Sequence, residues 1–130
     1  MLKLPQNTFV VVATGEEAKT FRQSGDHLKS AGDWSPQNLA DEGPSGKSPP
    51  EQTDRESMEA TFSKQVAERL YKLAHAGKYS SLVLIADPDS LGEIRPLLHD
   101  EVTSKIVLEL DKTLINSPLP DIEKSIAANL

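Results

Sequence analysis

Apolar residues along this chain fall into short unbroken runs and into longer stripes at helical spacing. Thr8 to Ala13 (TFVVVA) is a β-branched run that predicts a strand covered on both faces. Leu82 to Ala86, opening at Ser81, is a second such run, and it stops abruptly at Asp87-Pro88-Asp89-Ser90. That stop is turn and helix-cap chemistry, so the run reads as a central strand of an α/β sheet. Between the two runs, Thr14-Gly15-Glu16-Glu17 predicts a turn and Ala18 to Gln23 alternates as a strand paired to the first in a hairpin. Ser24-Gly25-Asp26 predicts a second turn. A third strand falls within His27 to Pro36, anchored by Leu28 and Trp34.

Met58, Phe62, Val66, Leu70 and Leu73-Ala74 form one helical stripe. Thr53-Asp54-Arg55-Glu56 has capping-box form at its start, and Lys72, His75 and Gly77 suit its end. Ser90-Leu91-Gly92-Glu93 repeats the capping box and predicts a short helix that kinks or ends at Pro96. Val102 to Leu110 alternates as a strand, although Val102, Ile106 and Leu110 also fit helical spacing, and the strand is placed in the second half. Pro120 to Ala128 predicts a last helix with Ile122 and Ile126 facing the core. Asp41 to Pro50 contains no apolar residue, which predicts a mobile loop at about 40–52.

The resulting order, β-β-β-α-β-α-β-α, predicts one α/β domain over residues 1–130: a ribonuclease H-like mixed five-stranded sheet with helices on both faces. Its two doubly apolar strands are expected side by side at the centre.

Composition narrows the function classes. Lys and Arg number 14 against 20 Asp and Glu, for a net charge of −6 and a pI near 5.0, and no basic run occurs. No DNA partner is expected from such a surface. Cysteine is absent, which removes disulfides, thiol catalysis and cysteine metal sites. The first residues do not form a signal peptide and no apolar stretch reaches membrane-spanning length, so no membrane insertion and a cytoplasmic location are expected.

Candidate chemistry is sparse. A two-metal nuclease on this fold needs carboxylates from the first strand and from elements beside it. Asp87, one of Glu56, Glu59 or Glu68, and Asp121 or Glu123 would qualify, but Thr8 to Ala13 supplies no acid. No metal and no cofactor are therefore expected. Gly15, or the helix opening near Gly92, is a candidate phosphate contact, though no glycine-rich phosphate motif is present. His27, His75 and His99 show no ligand or triad spacing. Arg95, Lys105 and Lys112 with Lys78 form a candidate basic patch along one edge of the sheet. The binding candidates are thus Gly15, Asp87, Arg95 and Lys112.

Four segments carry a family resemblance: Leu4 to Ala13; Phe62 to Leu70 with Ala74-His75-Ala76-Gly77; Leu82 to Ala86 with Pro88 and Leu91 to Arg95; and Glu109 to Leu114. Their order and spacing resemble the bacterial host attachment protein family, proteins required for attachment to host cells. Thr14 and Thr113 stand where that family usually carries Asp. The family is similar in fold to the middle domain of eukaryotic and archaeal peptide-chain release factors. That domain needs a Gly-Gly-Gln motif to hydrolyse peptidyl-tRNA, and this sequence has none. The resemblance implies a non-enzymatic cytoplasmic binding or adaptor domain with an unknown protein partner. The alternative is an RNA- or ribosome-associated domain of release-factor type, and a second alternative is a degenerate or unrecognised hydrolase.

Overall fold

The computed structural model describes residues 4–36 and 55–130, with side chains from Thr61 onward in the second segment. The predicted loop at 40–52, the capping box at Thr53 and the side chain of Met58 lie outside the described residues. Five strands form one sheet: β1 (Phe9–Ala13), β2 (Ala18–Ser24), β3 (His27–Trp34), β4 (Leu82–Ala86) and β5 (Ile106–Asp111). Their order across the sheet is β3-β2-β1-β4-β5. β1 pairs antiparallel with β2 and parallel with β4; β2 and β3 are antiparallel, β4 and β5 parallel. The sheet is mixed, and its two centre strands are the two doubly apolar runs, as their composition predicts.

Register explains why both faces are apolar. Phe9 aligns with Leu82 and Ala13 with Ala86, so alternate side chains of β1 and β4 match across the sheet. Phe9, Val11, Ala13, Leu82, Leu84 and Ala86 pack on one face beneath α1 (Arg55–His75) and α2 (Pro88–Ile94). Val10, Val12, Val83, Ile85 and Leu110 pack on the other against Ile122 and Ile126. These two belong to the last helix, here α4 (Leu119–Ala128). Phe62, Val66 and Leu70 of α1 are fully buried and Ala74 nearly so, which is the predicted stripe.

Both edge strands carry a bulge. Thr20 aligns with Gly32 but Phe21 with Ser30, which leaves Ala31 unpaired in β3; Gly32, at φ +114°, takes up the bend. Leu82 aligns with Ile106 but Val83 with Leu108, which leaves Val107 unpaired in β5. Bulges of this kind disrupt the flat ladder that an incoming strand would extend.

Helix ends follow local chemistry, with one departure from the pattern reading. α1 ends in a Schellman motif: Lys78 N donates to Leu73 O and Gly77 N to Ala74 O, with Gly77 at φ +73°. α2 begins three residues before the expected capping box at Ser90. Asp87 is the N-cap and accepts from Ser90 N at 3.2 Å, with Pro88 in the first turn. A carboxylate cap followed by a residue with preset φ outcompetes the Ser90 hydroxyl. The helix stops at Ile94 and continues as a single 3₁₀ turn, Arg95–Leu97, where Pro96 removes a donor. A four-residue helix, α3 (Asp100–Thr103), precedes β5, so the ambiguous segment is helical first and extended second. Among the described residues, no helix is long and apolar enough to cross a membrane.

Candidate functional site

The parallel pair β1 and β4 sets the position of a crevice. From the carboxyl end of β1 the chain turns to β2 on one side, and from β4 it runs through α2 toward β5 on the other. Such divergence opens a cleft beyond the strand ends, the usual ligand position in open α/β sheets. Here the cleft has a volume of about 350 Å³, and Thr14, Gly15, Glu17, Asp87, Ser90 and Glu93 contribute to its walls.

Two of the predicted site residues, Gly15 and Asp87, meet in this crevice. Arg95 does not: it lines a neighbouring depression with Pro88, Leu91, Gly92, Glu109 and Asp111. Lys112 is exposed just beyond β5 and lines neither. The predicted basic patch is divided as well. Lys78 and Lys105 lie before β4 and β5, at the amino end of the parallel strands, whereas Lys112 follows β5 at the opposite end.

The crevice chemistry is acidic. Among the described residues, Glu16, Glu17, Asp87, Asp89 and Glu93 line it without any basic side chain. Several of its backbone donors are also engaged. Thr14 Oγ1 accepts from Glu16 N at 3.1 Å and from Glu17 N at 3.2 Å, and Thr14 N donates to Glu17 O at 2.8 Å. The 14–17 turn is therefore closed by a threonine hydroxyl, as Asp or Ser closes similar turns. Gly15 keeps a φ outside the left-handed region, so no special backbone freedom is used there. Ser90 N is taken by Asp87 Oδ2. With five carboxylates and these N–H groups occupied, the crevice is less favourable to phosphate than a turn with free N–H groups would be.

Arg95 offers no free cation to the neighbouring depression. Its Nε and Nη2 donate to Glu109 Oε1 at 3.1 and 2.5 Å. The hydrogen bond to Glu109, the charge of Glu109 and that of Asp111 raise the Arg95 pKa further above its ordinary value. Among the described residues, no group of three or more His, Asp or Glu side chains is placed to hold a metal ion. Glu123, one of the carboxylates considered for metal chemistry, instead accepts from Leu28 N at 2.6 Å and lies 3.5 Å from His27 Nδ1.

Pattern reading missed the concentration of acids at one end of the sheet. A signal was present: each of β1 and β4 is followed within four residues by two carboxylates, Glu16 and Glu17 in one case and Asp87 and Asp89 in the other. Two features at the other end were equally hard to foresee. Arg22 Nη1 donates to Lys78 O at 2.8 Å, and the Tyr71 ring stacks with His99 at 4.1 Å and with His75 at 5.6 Å.

Comparison with known proteins bears on the reading of this geometry. Residues 7–126 match the model of a family described as bacterial archaeo-eukaryotic release factor family 12. No curated protein matches the chain. Among solved structures, the chain is similar to the archaeal translation termination factor aRF1, with a TM-score of 0.52 and 14% identity over 94% of this chain and 37% of that one. It is similar also to a structure titled only as an archaeal protein, with a TM-score of 0.51 and 14% identity over 94% of this chain and 36% of that one. The chain thus spans little more than a third of the length of either protein, and at this identity the likeness shows the fold alone. The host attachment name receives no support from these matches.

Proposed function

Since the chain belongs to the bacterial archaeo-eukaryotic release factor family 12, we propose that it is a binding domain that associates with the ribosome or its RNA. The family match over residues 7–126 carries this reading, and the likeness to an archaeal termination factor in fold supports it. The strand order β3-β2-β1-β4-β5 with helices on both faces also supports the ribonuclease H-like class. Within that frame the domain binds without releasing nascent peptide, because the chain has no Gly-Gly-Gln motif.

Sedimentation tests the proposal. Tagged protein in a lysate of its own cells is expected to travel with ribosomal particles and to return to the top of the gradient after ribonuclease treatment. Recovery only in light fractions, bound to discrete proteins and unaffected by ribonuclease, would favour the adaptor reading instead. Added to ribosomes carrying peptidyl-tRNA, the protein is expected to release no peptide above background.

A further inference from the structure

The partner proposed above is built on phosphate, and the crevice at the carboxyl ends of β1 and β4 repels phosphate. The opposite end of the sheet has different chemistry. Arg22 and Lys29 are cross-strand partners in β2 and β3, so their side chains share one face. The Arg22 guanidinium lies 4.9 Å over the Phe9 ring and is held by the backbone oxygen of Lys78. Lys29 and Lys78 are exposed. Lys72 in the last turn of α1 and Lys105 before β5 add charge to the same end. Asp26, Asp100 and Glu101 lie there too, and Glu101 faces His75, with Oε1 3.3 Å from Nδ1.

At the same end of the sheet stands a short ring stack, His75–Tyr71–His99, in which both histidines are exposed. The segment from Tyr71 to Lys78 joins the stack to the basic residues. Cations alone would suit an acidic peptide as well as a nucleic acid. Cations at the same end as exposed histidine rings suit an unpaired base on its phosphate backbone.

We propose that the amino end of the parallel strands is a contact surface for single-stranded RNA, in which Arg22, Lys29 and Lys78 neutralise phosphates and the Tyr71 ring stack receives a base. This surface rests on the ribosome or RNA reading, and it places the acidic crevice away from the nucleic acid.

Salt dependence reads the cations and affinity reads the stack. Binding of a labelled oligouridylate is followed by fluorescence anisotropy between roughly 50 and 200 mM salt. Three phosphate contacts predict a slope of log K against log salt of about −2, at about −0.7 per contact for a single strand. Lys29→Gln with Lys78→Gln should reduce the slope to about −0.7. The same charge change at exposed Lys64 and Lys124, as K64Q with K124Q, should leave the slope unaltered. His99→Ala should weaken binding by roughly fivefold or more, with the slope preserved, as loss of stacking does. Absence of saturable binding, equal slopes for the two double variants, or displacement of RNA by polyglutamate at equal charge would each overturn the proposal. If K29Q with K78Q still sediments with ribosomes, this surface is overturned and the ribosome reading stands. If the unaltered protein binds the oligonucleotide as described but does not sediment with ribosomes, the surface stands and the ribosome reading falls.

Discussion

Glu123→Ala tests how the last helix is fastened to the hairpin half of the sheet. Glu123 Oε2 accepts from Leu28 N at 2.6 Å, across 95 residues of sequence, and its side chain is 17% exposed. The second oxygen lies 3.5 Å from His27 Nδ1, but the His27 side chain is 73% exposed, so that pair contributes about 0–1 kcal/mol at most. The backbone bond matters more. A hydrogen bond to a charged group is worth about 1.5–3 kcal/mol, and its loss strands the N–H of Leu28, whose side chain is buried. Because β3 is an edge strand that water can reach, the lower part of that range applies, about 1.5 kcal/mol. In urea, with a slope of about 2 kcal/mol per molar, the midpoint should fall by roughly 0.7 M. Glu123→Gln keeps an acceptor oxygen and should lose about half as much. Amide exchange adds a local readout: Leu28 N–H should lose protection in the Ala variant before the centre of β1 does. An unchanged midpoint together with unchanged exchange at Leu28 would refute the reasoning, since it would mean that the carboxylate does not hold this donor.

Leu70 is fully buried between α1 and the sheet, so Leu70→Ala should cost about 2–5 kcal/mol in denaturant titration, whereas Leu97→Ala on the surface should stay within about 0.5 kcal/mol. Tyr79 donates to Leu70 O at 2.9 Å, and burial first, then the charge of Glu101, raise its pKa above the ordinary value of 10.0. The folded state therefore holds this proton more tightly than the unfolded chain does. Its contribution to stability is complete below pH 10 and should decline above it by up to about 1.4 kcal/mol per pH unit. Tyr79→Phe should flatten that alkaline decline in unfolding curves, and should cost about 1 kcal/mol at neutral pH for the lost bond. Thr14→Ala should speed amide exchange at Glu16 and Glu17 and destabilise by about 0.5–1 kcal/mol, while Thr14→Asn should restore protection, because an Asn oxygen can accept the same two N–H groups.

Much of the fold was legible because burial on two faces leaves a distinct composition. FVVVA and LVLIA could be central only if both faces were covered, and in the structure all ten residues are buried. The stripe through Phe62, Val66 and Leu70 was equally direct. What pattern reading misplaced was decided by competition between neighbours. Ser90 has the sequence form of a cap, but Asp87 precedes it with a stronger acceptor and Pro88 between them. The bulges at Ala31 and Val107 depend on pairing with distant strands, which no local window contains. The candidate site was legible only in part. Gly15 and Asp87 meet because parallel β1 and β4 end together, a relation that topology predicts. Arg95 pairs with Glu109 across 14 residues, a contact of which periodicity gives no view.

The separation of charge along the sheet has two origins, and only one of them bears on binding. Helix dipoles favour acids at helix starts and bases at helix ends. α2 starts at the carboxyl end of β4, so Asp87 as cap and Asp89 in the first turn follow from helix chemistry. α1 ends at the opposite side, so Lys72 and His75 in its last turn follow in the same way. Stability accounts for these four residues without any ligand. It does not account for Arg22 and Lys29, strand residues that stand opposite each other in the register of β2 and β3. Like charges opposite each other on a sheet are unfavourable unless something neutralises them. The backbone oxygens of Asn7 and Lys78 relieve Arg22 in part, at 3.4 and 2.8 Å. Lys29 has no comparable acceptor among the described residues, so Lys29→Gln should leave stability unchanged or raise it slightly while weakening RNA binding. Opposite signs in the two assays are what a residue kept for an anionic partner would give. A loss in both would make Lys29 a structural residue and remove one of the three cations from the proposed surface.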